Sequence, residues 1–266
     1  MADKPTLRGE KPCRRSFYWL EVCLALSIVC LIIQLLLDVI RLRNEWPHPG
    51  YQTRARAELS FSNGMHSEVQ YLVYLPQDYT LHGSWPLLIY LHGSGERGND
   101  LETVLRTGLP ALIARGKHFP MIVVSPQCRP EANWESGQLL SLPNHLEKEF
   151  SIDRERVYIG GYSMGGFGTW QFAAAAPERF AAIIPVAGGG DPSEASRLVN
   201  LPIWAFHGAK DRTIPLAGSK EMVEAVQAAG GNARLTIYDD RGHDTCNLTF
   251  SRDDLYEWLL RQRRRR

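Results

Sequence analysis

Residues 157–166 read Val157-Tyr158-Ile159-Gly160-Gly161-Tyr162-Ser163-Met164-Gly165-Gly166, a short strand-like run that passes through clustered glycines into a helical pattern ending near Ala175. The central five residues fit G-x-S-x-G at a strand-to-helix turn. So tight a turn has no room for side chains at 161 and 165, which would collide with the neighbouring strand and helix. It also holds the serine in a strained backbone conformation with its hydroxyl presented outward. Ser163 is therefore the candidate nucleophile, and the N–H groups of the new helix are aimed at any oxyanion that develops beside it.

A serine hydroxyl is inert near neutral pH unless a base takes its proton and an acid holds that base. Both candidates lie downstream. The run Ile203–Phe206 leads into His207-Gly208-Ala209-Lys210-Asp211-Arg212-Thr213-Ile214-Pro215, putting Asp211 in a loop at the carboxyl end of a strand. The run Leu235–Tyr238 leads into Asp239-Asp240-Arg241-Gly242-His243-Asp244, putting His243 in the equivalent loop one strand later. Asp239 and Asp240 lie too close to the strand end, Asp244 adjoins His243 in the chain, and His207 sits at a strand terminus. The expected triad is Ser163, Asp211 and His243, in that chain order.

Upstream, Leu87–Leu91 leads into His92-Gly93-Ser94-Gly95-Glu96-Arg97-Gly98. Residues 93–98 literally spell G-x-G-x-x-G, but a dinucleotide fold needs an acidic residue at the end of the following strand, which here ends Ser125-Pro126-Gln127. The following helix is also expected to start late, near Asp100, too far from the glycines to hold a pyrophosphate. The better reading is an oxyanion loop, with the backbone N–H groups of Ser94 and Met164 as the two donors and His92 in a structural role. Trp134 is a candidate wall of an acyl or aromatic pocket, and Glu96 and Arg97 a candidate pair shaping the loop.

Short β-rich runs occur at Leu59–Phe61, Val69–Leu75, Leu87–Leu91, Ile122–Ser125, Val157–Gly160, Ile183–Val186, Ile203–Phe206 and Leu235–Tyr238. Helical patterns separate them from the third onward, roughly at Leu101–Ala114, Leu139–Phe150, Gly166–Ala175, Leu216–Ala229 and Arg252–Arg261. Near-continuous apolar strands alternating with helices imply an α/β fold: a mostly parallel eight-stranded sheet with helices on both faces and an antiparallel hairpin first. The connection from Gly188 to Asn200 is too short for a sizeable lid, so the site is expected to be open.

Taken together, LHGSGERG, GGYSMGGFGTW, HGAKDRTIP and RGHD resemble the α/β-hydrolase superfamily. Within it the chain is similar to the compact esterases grouped with poly(3-hydroxybutyrate) depolymerases, feruloyl esterases and dienelactone hydrolase or prolyl-oligopeptidase-type domains. The resemblance runs from about Glu58 to Leu260. It implies Ser163, Asp211 and His243 as the triad and Ser94 and Met164 as oxyanion donors. The expected activity is cleavage of small-molecule or polymeric carboxylic esters through an acyl-enzyme, with no cofactor. A serine peptidase of the same fold and a catalytically silent binding module are the alternatives. The His, Cys and acidic residues show no close-spaced metal set.

Composition limits the remaining classes. Residues 1–45 carry seven basic and five acidic side chains and the last six residues five arginines, so the body is acidic by about six charges and a nucleic-acid binder is not expected. Three of the five cysteines fall in or beside the N-terminal apolar run, which excludes a disulfide framework. That run, Phe17 to Ile40, is long enough to cross a membrane as a helix and is headed by Phe17, Tyr18 and Trp19. Five basic residues precede it and it lacks the short core of a cleaved signal, so it is expected to be a signal anchor. The expected order is a cytoplasmic segment 1–16, a span 17–40, a linker 41–56, an extracytoplasmic hydrolase domain 57–262 and an arginine tail 263–266.

Overall fold

The computed structural model describes residues 24, 26–36, 47–60, 66–134 and 140–264, divided into two compact units, Met1–Trp46 and Pro47–Arg266. In the first unit, residues 26–36 are helical and present exposed apolar side chains such as Leu31 and Leu35. Among the described residues no helix is long and apolar enough to cross a membrane. The expected segment 1–16, half of the expected span 17–40, the start of the linker and the last two residues of the tail lie outside the described residues.

The second unit is built on one eight-stranded sheet. Its strands are β1 (Gln52–Ser60), β2 (His66–Tyr74), β3 (Trp85–Leu91), β4 (Ile122–Pro126), β5 (Ile152–Tyr162), β6 (Ala182–Val186), β7 (Ile203–Gly208) and β8 (Ala233–Tyr238). Their spatial order is β1-β2-β4-β3-β5-β6-β7-β8. The β1–β2 and β2–β4 pairings are antiparallel and every other pairing is parallel. The helices are α1 (Gly108–Ala114), α2 (Leu142–Glu149), α3 (Met164–Ala175), α4 (Leu216–Ala228), α5 (Cys246–Phe250) and α6 (Asp253–Leu260).

Strand β3 shows why both faces are covered. Leu87, Ile89 and Leu91 enter one core, with Leu146 of α2, Trp170 and Phe172 of α3 and Met222 of α4. Leu88 and Tyr90 enter the other, with Leu109 of α1, Phe250 of α5 and Leu259 of α6. Successive strand residues point to opposite faces, so a strand apolar at every position needs helices on both sides.

The expected helix Leu101–Ala114 is not continuous. A 3-10 turn at Val104–Arg106 ends at Thr107, which is extended, and α1 starts at Gly108 with φ +64°. The Tyr90 hydroxyl occupies the space that a Cβ at Gly108 would need, so the chain must break there to pass it. Asp100 Oδ1 accepts the Glu102 N–H at 3.0 Å in a local turn and does not cap a helix. Two short elements carry too little periodicity to be read from sequence: α5, and the 3-10 segment Pro192–Leu198, whose start is capped by Asp191 Oδ1 accepting from Ser193 N–H at 2.9 Å.

Topology fixes where chemistry can occur. From β3 the chain crosses to β4 on one side, and from β5 it crosses to β6 on the other. The loops after these adjacent strands leave in opposite directions, opening a crevice at their carboxyl ends.

Candidate active site

Ser163 directly follows β5 and caps α3 with φ +55° and ψ −117°, a conformation that a non-glycine residue adopts only when its surroundings enforce it. The enforcement is visible. Ser163 N–H donates to Val186 O at 2.9 Å, and Phe167 N–H donates to Ser163 O at 3.1 Å. A Cβ on Gly161 would meet the Gly165 carbonyl, and one on Gly165 would meet the Leu91 carbonyl. These glycines let helix α3 sit directly against β3 and β5, and that close approach holds the turn.

The loops after β7 and β8 bring two side chains to this serine. His243 Nε2 lies 2.9 Å from Ser163 Oγ, and His243 Nδ1 lies 2.7 Å from Asp211 Oδ2. Asp211 Oδ1 accepts the backbone N–H groups of Thr213 and Ile214, each at 2.9 Å. Burial pushes the Asp211 carboxyl up, but the hydrogen bonds from His243 and from those two amides outweigh it and hold the group below the ordinary carboxylate range. An ionised acceptor at Nδ1 fixes the tautomer that leaves Nε2 free to take the hydroxyl proton. Asp239 and Asp240 are exposed to solvent.

Ser94 begins a 3-10 turn directly after β3, and Met164 is the first residue of α3. Both line a cavity of about 480 Å³ together with Ser163, Trp134, Phe167 and Ile214. The first N–H groups of a helix have no partner within it, which makes the Met164 amide an available donor.

Two supports were not legible in the sequence. Tyr162, the unspecified residue before the serine, donates its hydroxyl to His243 O at 2.5 Å and packs its ring 5.0 Å from the imidazole. Gln127 Nε2 donates to Glu96 O at 3.0 Å, Asp100 O at 2.8 Å and Thr103 Oγ1 at 2.9 Å, tying the loop after β3 to the end of β4. Glu96 and Arg97 do not shape that loop by pairing with each other: Arg97 donates to Asn133 Oδ1 at 2.6 Å, and Glu96 Oε2 lies 4.0 Å from His92 Nδ1.

His92 is fully buried under the same loop. Its Nε2 accepts the Cys128 N–H at 3.0 Å, its Nδ1 donates to Gly93 O at 2.6 Å, and Trp134 Nε1 donates to His92 O at 3.0 Å. These partners require the neutral ring with its proton on Nδ1. Burial lowers the His92 pKa to about 4, against the Gly93 carbonyl, which raises it. The unfolded chain binds this proton near pH 6.5 and the folded chain does so only near 4, so stability is full above 6.5 and is lost as pH falls from 6.5 to 4. The loss amounts to about 3 kcal/mol. Denaturant titrations of His92→Gln at pH 7 and pH 4 should show a stability difference smaller than wild type by about that amount; equal differences would mean that His92 does not titrate this way.

The family model Esterase matches residues 62–266. The chain is 31% identical over 148 residues to the bifunctional acetylxylan esterase/xylanase XynS20E of Neocallimastix patriciarum, covering 52% of this chain and 21% of that protein. It spans less than half the length of the curated relatives it matches. Among solved structures it is similar to a thermostable esterase at 30% identity and a TM-score of 0.65, covering 79% of this chain and 63% of that one. It shares its fold with the feruloyl esterase module of Clostridium thermocellum at 20% identity and a TM-score of 0.57, covering 80% of this chain and 89% of that one.

Proposed function

We propose that this chain, which belongs to the Esterase family and has the α/β-hydrolase fold, is an esterase that cleaves carboxylic esters through an acyl-enzyme formed on Ser163. The observation that carries this reading is the unbroken hydrogen-bonded series from Asp211 through His243 to Ser163. Ser163 Oγ attacks the ester carbonyl carbon as its proton passes to His243 Nε2. The carbonyl oxygen becomes an oxyanion held by the Ser94 and Met164 N–H groups. When the tetrahedral centre collapses, the carbon–oxygen bond to the alcohol breaks and His243 returns the proton to the leaving oxygen. Water then enters, gives a proton to His243 and releases the acid by the same steps in reverse order. Throughout, Asp211 stays ionised and holds the imidazolium that forms twice per turnover.

The site accommodates a carboxylic ester without a cofactor, since nucleophile, base and oxyanion donors all come from this chain. The test is a panel of small-molecule esters, polymeric esters and peptide amides, with a fluorophosphonate label. Ester turnover and a label on Ser163 are expected; turnover of amides alone would make the chain a peptidase, and an unlabelled Ser163 would leave a silent binding module.

We also propose that residues 17–40 anchor this esterase, on the charge bias of five basic residues before the apolar run against two soon after it. Protease added outside sealed right-side-out vesicles should then digest the catalytic body and leave a small fragment containing Phe17–Ile40. Full protection of the body would reverse the orientation, and a mature chain starting after Ile40 would replace the anchor with a cleaved signal.

A further inference from the structure

His207, a histidine the proposed triad does not use, is the penultimate residue of β7 and is fully buried. Strand residues alternate between faces, so it points the same way as Ile203 and Ala205, into the core that holds Met222 and Val223 of α4. Its Nδ1 lies 2.8 Å from Ser219 Oγ on α4. Its Nε2 lies 3.0 Å from Ile214 O and 3.3 Å from Asp211 Oδ2. Ser219, also fully buried, donates its hydroxyl to Gly188 O at 2.5 Å.

Counting protons along this chain of contacts fixes the state of the ring. A serine hydroxyl carries one proton. At 2.5 Å from the Gly188 carbonyl, Ser219 must place that proton between the two oxygens, since bare oxygens repel at such a separation. None is left for His207 Nδ1, which must itself donate to Ser219 Oγ. On the other side Nε2 meets a carbonyl oxygen and an ionised carboxylate, both acceptors only, so it must donate too. Either neutral tautomer would set a nitrogen lone pair against an oxygen lone pair where no solvent repairs the contact. A proton on each nitrogen satisfies every contact, and the enclosed Asp211 carboxylate supplies the counter-charge. His92 is the opposite case: its Nε2 accepts the Cys128 N–H, so one proton suffices.

We infer that His207 is a buried imidazolium and a positioning residue for the esterase reaction, holding Asp211 Oδ2 together with His243 and sharing its charge. The inference rests on Asp211, His243 and Ser163 acting as the triad. One carboxylate oxygen then serves two rings, at 3.3 Å from His207 Nε2 and 2.7 Å from His243 Nδ1. With His207 charged, Asp211 draws a proton onto His243 less strongly than an unshared carboxylate would. Only an unprotonated His243 can take the serine proton, so His207 keeps the site active to lower pH. Other charges of the packed elements point away: Asp191, Lys210, Arg212, Lys220, Glu221 and Glu224 are exposed. Tyr238 of β8 lies in the other core, stacked on Phe206.

The experiment is nitrogen-15 NMR of the full chain labelled at histidine, recorded at pH 8. One histidine should show both ring nitrogens protonated, and that signal should vanish in His207→Gln. In Ser219→Ala the Nδ1 acceptor is gone, and the same ring should show one bare nitrogen. The second readout is kcat/KM for p-nitrophenyl acetate against pH, whose acidic limb should move up by about half a pH unit or more in both variants. A His207 ring with one bare nitrogen in wild type would overturn the inference. So would a lower kcat with an unmoved acidic limb, which is the mark of a residue that only packs the loop. If a thermal melt shows that His207→Gln does not fold, Ser219→Ala decides alone. Absence of ester turnover in wild type would instead count against the Ser163 reading, and the NMR signal would still decide the charge on His207.

Discussion

Ser163→Ala should lower kcat on a simple ester by about 10⁶-fold while leaving the thermal midpoint within a few degrees of wild type. The change removes one oxygen atom. Alanine carries the same Cβ penalty at φ +55° as serine, so the turn gains no new strain, and the bonds that enforce it, from Ser163 N–H to Val186 O and from Phe167 N–H to Ser163 O, are backbone bonds that survive. His243 keeps Asp211, and the Tyr162 hydroxyl keeps its hold on the His243 carbonyl. What disappears is the atom proposed to form the acyl-enzyme. The oxyanion donors and the cavity then act on water alone, which retains only a small part of the acceleration. The measurement is kcat on p-nitrophenyl acetate with purified protein, beside a thermal melt. Activity within tenfold of wild type would place the nucleophile elsewhere.

The parts of this molecule legible in its sequence are those that short-range constraints dictate. Gly161 and Gly165 announce the turn because only hydrogen fits between α3 and the strands. Asp211 and His243 could be named because each follows an apolar strand, and in a parallel sheet the residues after strands share one edge. The inner strands β3, β4, β6 and β7 were legible because burial on both faces leaves an apolar run that no loop needs, whereas the edge strands β1 and β8 are largely exposed or half-buried and were marked only by short apolar stretches. Strand ends were not legible. β1 and β2 extend well beyond the apolar residues that marked them, because pairing with each other along nine residues completes the backbone hydrogen bonds of polar stretches such as Gln52–Arg56. The break at Thr107 depends on the Tyr90 hydroxyl, seventeen residues earlier and in another layer. Tyr162 and Gln127 act through partners 81 and up to 31 residues away, and nothing local distinguishes them from packing residues.

Asp211→Asn should lower kcat by about 10⁴-fold, with little loss of folded protein, and the direction of the defect follows from which oxygen does what. Oδ1 accepts two backbone N–H groups, from Thr213 and Ile214, while Oδ2 faces His243 Nδ1. An asparagine must satisfy the two amides with its one oxygen, which turns its NH₂ toward His243. An NH₂ cannot accept the Nδ1–H, so the ring moves its proton to Nε2 and donates to Ser163 Oγ where it must accept. The loop stays intact because both amides keep an acceptor. The base is lost because its tautomer is wrong, and the imidazolium formed in the reaction loses its counter-charge. Asp239→Asn and Asp240→Asn alter exposed carboxylates, while the Nδ1 partner is Asp211, and should change kcat by less than threefold. Measured side by side, a larger loss at 239 or 240 than at 211 would move the acid to the β8 loop, and equal, small losses at all three would mean that His243 needs no carboxylate to serve as base.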